Sequence, residues 1–179
     1  MHLLEGDEWA AYFRDFTSSA FRLETQPTYT MPAEEPNVAK FLAGQLPPEG
    51  HNAAWHQTIA GHAAAGRTMR RVRTLTRPLT DYQRYGFTWS IPGNLAAGED
   101  IRILDLTGRE DFDPGITVPG QDWWLFDDET VVHLNFRPDG TQSGRVLIEN
   151  PDLAEYRRVR DLALASSVPF AEYVAEHPA

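Results

Sequence analysis

Cysteine is absent from all 179 residues, which removes a disulfide framework, a thiol nucleophile and a thiolate metal site in one stroke. Lysine is nearly absent too: Lys40 is the single lysine, and every other basic residue is arginine. No apolar run approaches the roughly 18 to 20 residues that span a bilayer. The first residues, MHLLEGDEWAAYF, turn acidic at once instead of giving a basic end, an apolar stretch and a cleavage site. A cytoplasmic chain with no membrane association is the expectation. Cations are in deficit, with a formal net charge of -10, and a strongly acidic chain repels the phosphate backbone at long range. Direct nucleic-acid binding is therefore not expected.

The chain does have an ample supply of aromatic residues, five Trp, nine Phe and six Tyr, among 41% apolar residues. Its length suits one hydrophobic core, hence a single domain over residues 1–179. From Gly6 to Phe16, Trp9, Phe13 and Phe16 fall at helical spacing behind acids in the first turn. SAFRLE then alternates as a strand does. A brief helix ending at Gly44 follows the prolines at 27, 32 and 36, and Asn52 and Gly66 read as the N-cap and left-handed C-cap of another. RTMRRVRTLTRP reads as a strand with arginines on both faces. Thr80 and Gln83 suit a capping box, in a helix that Pro92 and Gly93 are expected to interrupt. IRILDL is a short buried strand, and a loop with Gly108, Pro114, Gly115, Pro119 and Gly120 leads on. DWWLFD, TVVHLNF and RVLIE then form an antiparallel meander. Asn150 and Pro151 are expected to start a helix with a Leu153, Tyr156, Val159 and Ala163 stripe, before a short C-terminal helix. Strands alternating with helices imply a parallel portion of sheet, and the later hairpins add antiparallel strands. The predicted class is α/β, a mixed, partly antiparallel sheet flanked by helices.

Few residue patterns point to chemistry. Histidines 51, 56 and 62 are spaced by five and six, which does not bring pairs onto one helical face as three or four would. A site completed by His133 and a remote carboxylate is conceivable, but neither a metal nor a cofactor is expected. Asp127, Asp128 and Glu129 offer oxygen ligands for a hard cation, and an exposed acidic turn is the plainer reading. No phosphate loop or nucleophile elbow is present. The strongest feature is a run of arginines: Arg67, Arg70, Arg71, Arg73, Arg77 and Arg84 share eighteen residues with one acid, Asp81, so this segment is about +5 against about -15 for the rest. Arg71, Arg73, Tyr82 and Arg84 could form a fork-like receptor for a carboxylate, a phosphate or an acidic surface. The plainer reading pairs them with acids elsewhere in the chain.

The stretch QDWWLFDDETVVHLNF, from Gln121 to Phe136, resembles in degenerate form the end of a phospholipase D-type half-domain. With Asp127 in place of that motif's aspartate, its histidine and lysine positions fall on Gly120 and Asp122, and its Gly and Ser positions on Leu134 and Asn135. An aspartate in the lysine position repels the substrate that a lysine would hold, so the resemblance implies a phospholipase D-like fold without the family's reaction. Over nearly the whole length, SAFRLE, RRVRTLTRPLTDYQRY, NLAAGEDIRIL, DWWLFDDETVV and YRRVRDLALASSVPFAEY resemble an uncharacterised actinobacterial family of unknown function, whose members are often encoded beside helix-turn-helix regulators. The resemblance marks Tyr82, Arg84, Asn94, Gly98, Glu99, Asp122, Asp127 and Asp128 as characteristic positions without assigning roles. His133, Asn135 and the Ser90-Ile91-Pro92-Gly93 interruption depart from that pattern.

Two functional expectations follow. The first is a non-enzymatic module that binds a protein partner, with a helix-turn-helix transcriptional regulator as the candidate, and that competes with DNA by its negative charge; a homodimer is compatible with it. The second is an enzyme or small-ligand receptor in which Arg71, Arg73, Tyr82 or Arg84 holds an anion beside Asp122, Asp127 or His133. Arginines converging in a cavity favour the second, and arginines spread over a charged face favour the first.

Overall fold

Alternation of apolar residues decides this architecture, because most of its strands carry a buried set on each side. The computed structural model describes residues 2–109, 112, 115 and 118–178. Its strands are β1 (His2–Leu3), β2 (Ser19–Glu24), β3 (Thr68–Leu75), β4 (Asp100–Asp105), β5 (Gln121–Phe126), β6 (Thr130–Phe136), β7 (Gln142–Leu147) and β8 (Val168–Pro169). They form one sheet in the order β1-β7-β6-β5-β2-β3-β4-β8. β2, β3 and β4 run parallel, and the other pairs are antiparallel. The α/β class with a mixed sheet is thus as expected, as is the meander. The two edge strands, only two residues each, are too short to show a period in sequence. Of the loop expected after β4, Pro114 lies outside the described residues.

The helices are α1 (Gly6–Asp15), α2 (Glu35–Leu42), α3 (Ala53–Ala64), α4 (Asp81–Tyr85), α5 (Ile91–Ala97), α6 (Leu153–Ser166) and α7 (Phe170–Glu176). One sheet face, carrying Ala20, Met69, Trp124, Phe126, Val132 and Leu134, packs on Phe16, on Ile59 of α3 and on the aromatic face of α1. Toward β4 the cover passes to Ile91 of α5 and to Phe170 and Tyr173 of α7. The opposite face, carrying Phe21, Leu23, Val72, Trp123, Leu125 and Val131, packs on Val159 and Ala163 of α6. Each such side chain, fully buried, contributes about 1.5–3 kcal/mol relative to exposure.

Several helix ends differ from expectation for local reasons. Asn52 is left-handed at φ 58° and its side chain caps nothing, so α3 starts from a backbone turn instead, Ala53 N–H donating to Gly50 O at 2.9 Å. Its end is as expected: Gly66, at φ 74°, lets Arg67 N–H reach back to His62 O at 3.0 Å. α6 is capped by Asp152, which accepts from Glu155 N–H at 3.2 Å, two residues later than Asn150. The capping box of α4 is complete, with Gln83 N–H on Thr80 Oγ1 at 3.2 Å and Thr80 N–H on Gln83 Oε1 at 2.9 Å.

The expected interruption at Ser90-Ile91-Pro92-Gly93 does not occur. Residues Gly86–Ser90 form a π-helical turn that carries α4 directly into α5. Pro92 stands at the start of α5, immediately after the π-helical turn, in which Ile91 N–H bonds back to Gly86 O. Gly93 is where the His56 ring of α3 presses closest: a Cβ there would lie 2.5 Å from the imidazole.

Candidate functional site

β2 lies between β3 and β5, and this register assembles the site. Arg22 stands beside Arg71 and Glu24 beside Arg73, with Trp124 opposite Arg22 on β5. All of these side chains rise from the α1/α3 face. Two arginines side by side repel, and Glu24 resolves the conflict: Oε1 accepts from Arg71 Nη1 at 2.8 Å and meets Arg22 Nη2 at 3.2 Å, while Oε2 meets Arg73 Nε at 2.8 Å and Nη2 at 2.7 Å. Arg71 Nε then donates to Glu99 Oε1 at 2.8 Å, and Glu99 Oε2 accepts from Asn94 Nδ2 at 2.9 Å. Asp122 stands on the other side of Arg22, 3.5 Å from Nη2. It accepts from the Tyr29 hydroxyl at 2.6 Å, from Thr25 N–H at 2.9 Å and Oγ1 at 3.0 Å, and from Gln26 Nε2 at 3.2 Å.

Burial makes these contacts strong: Asp122 is 0%, Glu24 2%, Glu99 3% and Arg73 6% exposed. Burial alone would raise the Glu24 carboxyl, but the Arg22, Arg71 and Arg73 guanidiniums overcome it and hold that group well below the usual carboxylate range. Burial, reinforced by Asp122 and Glu24, pushes the Tyr29 phenol well up. Burial and then Glu34, whose Oε2 accepts the Tyr82 hydroxyl at 2.6 Å, do the same to Tyr82. Three buried guanidiniums thus face three buried carboxylates. The guanidiniums also stand over aromatic rings: Arg22 lies 5.7 Å from the Tyr29 ring and 5.6 Å from Trp124, and Arg73 lies 5.5 Å from Tyr29 and 5.9 Å from Tyr82. Those rings stand next to Arg22 Nε and Arg73 Nη1, which have no hydrogen-bond partner.

Above this floor is a cavity of about 360 Å³. Its walls combine the aromatic Trp9, Phe13, Tyr29, Trp55, Tyr82 and Trp124 with polar Asn52, Asn94 and Gln142, and the π-helical turn contributes Gly86 and Ser90. Glu34 and Arg145 also line it. Arg145, on β7, has its guanidinium 5.4 Å from the Trp9 ring. Among the described residues no carboxylate forms an ion pair with Arg145. Burial draws its guanidinium down, and Glu5 acts against that.

Of the residues singled out in the sequence, Arg71, Arg73 and Tyr82 meet in this cavity, and Asp122 sits at its base under Tyr29. The other three lie elsewhere. Arg84 is exposed and pairs with Asp81 one helical turn away. Asp127 lies in the acidic turn between β5 and β6, at positive φ, 53°, beside Asp128 at 58°, and is tied down there. Its carboxylate accepts the N–H groups of Thr17, Ser18 and Ser19 at 2.8, 2.7 and 3.0 Å. Burial alone would raise its carboxyl, but these bonds together bring it down to about 2. Asp128 pairs with Arg160. His133 is on the opposite sheet face, where Nε2 meets the Tyr156 hydroxyl at 2.6 Å and burial lowers its imidazole. No group of three or more His, Asp or Glu among the described residues is placed to hold a metal ion.

Arg22, Glu24, Glu34 and Arg145 carried no signal as functional residues in the sequence. Alternation in SAFRLE marks Arg22 and Glu24 as one face of a strand, yet only the placement of β2 between two other strands shows that face to be covered.

These features define an α/β chain with an aromatic cavity over a charge-balanced buried floor. It belongs to the family described as a domain of unknown function, DUF6879, whose model matches residues 7–175. No curated protein matches the sequence. Among solved structures, the chain is similar to Nuc from Salmonella typhimurium, a phospholipase D family member, at 10% identity and a TM-score of 0.49 over 90% of each chain. No helix among the described residues is long and apolar enough to cross a membrane.

Proposed function

We propose that this chain is a receptor for a small organic ligand held in the aromatic cavity. The observation that carries the reading is convergence: Arg71 and Arg73 of β3 and Tyr82 of α4 line one cavity instead of spreading across solvent. The volume, about 360 Å³, falls within the range of small-molecule sites, and aromatic rings set beside placed polar groups are what such sites have. A π-helical turn in the wall is a further pointer, since these turns occur frequently at functional sites. Binding suits the cavity better than turnover does. Glu24 is locked as an ionised acceptor of three arginines, which makes it a poor base, and each floor carboxylate is committed to protein donors.

The test is a thermal-shift and tryptophan-emission screen of the intact chain against neutral and acidic aromatic compounds, because Trp9, Trp55 and Trp124 report on the cavity. A ligand at a hundredfold over its Kd adds about 2.7 kcal/mol, an upward shift of about 5–11 °C in a chain of this size. Gly86→Met should abolish the shift. A Cβ at Gly86 meets nothing closer than Arg73 Nη1 at 3.8 Å, so the longer side chain can fold into the cavity and fill it. A screen in which no compound shifts the wild type, or in which Gly86→Met binds equally well, would refute the reading.

A protein partner, a helix-turn-helix regulator being the candidate, is the second reading. It is favoured by exposed Leu42 and Leu46 on the segment that walls the cavity, and by a surface that keeps the whole net charge of -10 because the buried ions cancel. Recovery of the same regulator from native lysate at low salt, lost as salt rises, would support it; no recovery at any salt would count against it.

A further inference from the structure

Among the described residues, every cation that lines the cavity is in an ion pair with a carboxylate except one. Arg22, Arg71 and Arg73 are matched by Glu24, Glu99 and Asp122, so an anionic ligand could reach those guanidiniums only by displacing a buried carboxylate. Arg145 is different. It enters the cavity from β7 beside Leu134, its register partner on β6, half-buried, with an aromatic ring as neighbour and no ion-pair partner among the described residues. A guanidinium presents a planar fork that matches a carboxylate with two parallel hydrogen bonds, and the Trp9 ring beside it offers a stacking surface to whatever that carboxylate carries.

We propose that Arg145 is the anion-recognising residue of this site and that the ligand is a small aromatic monocarboxylate, its acid on Arg145 and its ring among Trp9, Phe13 and Trp55. This rests on the receptor reading above and deepens it. A single negative charge is favoured for two reasons: the one lining cation outside any ion pair among the described residues balances one charge, and acidic Glu34 on the same cavity wall disfavours a second. The unmatched charge of Arg145 in the free protein follows as well. A half-buried cation with no carboxylate in ion-pair contact, and only Glu5 acting on it through space, destabilises its own surroundings, which is tolerable where a ligand supplies a closer charge.

The experiment compares benzoate, phenylacetate and indole-3-acetate with their primary amides, and with phenyl phosphate, by calorimetry and tryptophan emission on the intact chain. At least one acid should bind ten- to a hundredfold more tightly than its amide, the range expected of a charge-assisted hydrogen-bonded pair. Arg145→Gln should erase that preference by weakening the acid alone, while the midpoint of the unliganded variant stays unchanged or rises. Arg84→Gln, on an exposed pair far from the cavity, should bind as the wild type does. Acids and amides binding alike, with binding still lost in Gly86→Met, would overturn the role of Arg145 and leave the receptor reading intact; no binding by any compound would sink both. Tighter binding of phenyl phosphate than of every carboxylate would overturn the ligand class.

Discussion

Replacing Glu24 by glutamine changes one oxygen for a nitrogen and should be among the most damaging single substitutions in the chain. The side chain keeps its shape but loses the charge that faces Arg22, Arg71 and Arg73. Only Glu99 and Asp122 would then oppose three buried guanidiniums, leaving an uncompensated positive charge in the core. Breaking a buried pair in this way costs about 3–5 kcal/mol, against a total stability on the order of 5–15 kcal/mol for a domain. At about 2–4 °C per kcal/mol for a chain of this length, the unfolding midpoint should fall by roughly 6–20 °C. The pH dependence is specific. The folded-state value of Glu24 is depressed, so its contribution is fully present above the unfolded value of about 4.3 and is lost as pH falls toward the lower, folded value. Wild type should therefore lose stability more steeply than Glu24→Gln below about pH 4, by up to about 1.4 kcal/mol per pH unit. Denaturant melts from pH 7 to pH 3 read both quantities. Adding Arg73→Met to Glu24→Gln should recover part of the loss by restoring neutrality. A Glu24→Gln protein within 1 kcal/mol of wild type at pH 7, or one with the same acid slope, would refute the argument.

Two further outcomes probe the frame around the site. Asp127→Ala removes the acceptor of the Thr17, Ser18 and Ser19 amides and should cost about 1–2 kcal/mol at pH 7, as for a lost helix cap. Because the Asp127 carboxyl is lowered to about 2, the difference from wild type should be constant above about pH 4 and vanish as pH drops through 2. Gly98→Ala should destabilise by about 2 kcal/mol or more in thermal melts, since φ is 114° and the new Cβ would lie 2.9 Å from the Ala63 Cβ; Gly98→Ala combined with Ala63→Gly should recover the packing part only.

Elements governed by neighbours in sequence were legible. The capping box of α4 needs only residues 80 to 83, the Gly66 stop only the last turn of α3, and the alternation of Met69, Arg71 and Arg73 against Val72 and Thr74 is visible in β3 itself. The site was legible only in part, because its partners are remote: Glu24 and Arg73 are 49 residues apart, and Tyr29 and Asp122 are 93. Which acid meets which arginine depends on β3 running parallel on one side of β2 and β5 antiparallel on the other, and nothing local encodes that. Proline misled at residue 92 because a helix tolerates it in its first turn, and the π-helical turn before it has no period that apolar spacing reveals. The characteristic positions carried over from the family resemblance, such as Asn94, Glu99, Asp122 and Asp127, turn out to be the acceptors and donors that fix strands β2, β3 and β5 to their surroundings.

The interlocked charges of β2, β3 and β5 also act as a combination lock on strand assembly. Sliding β2 by one residue would swing Arg22 and Glu24 to the side of the sheet occupied by Leu23, Val72 and Trp123, where no counter-charge waits. Any chain that zips up out of step is thereby marked for rejection before its cavity can close, and a newly made molecule that keeps its shape has already passed that inspection.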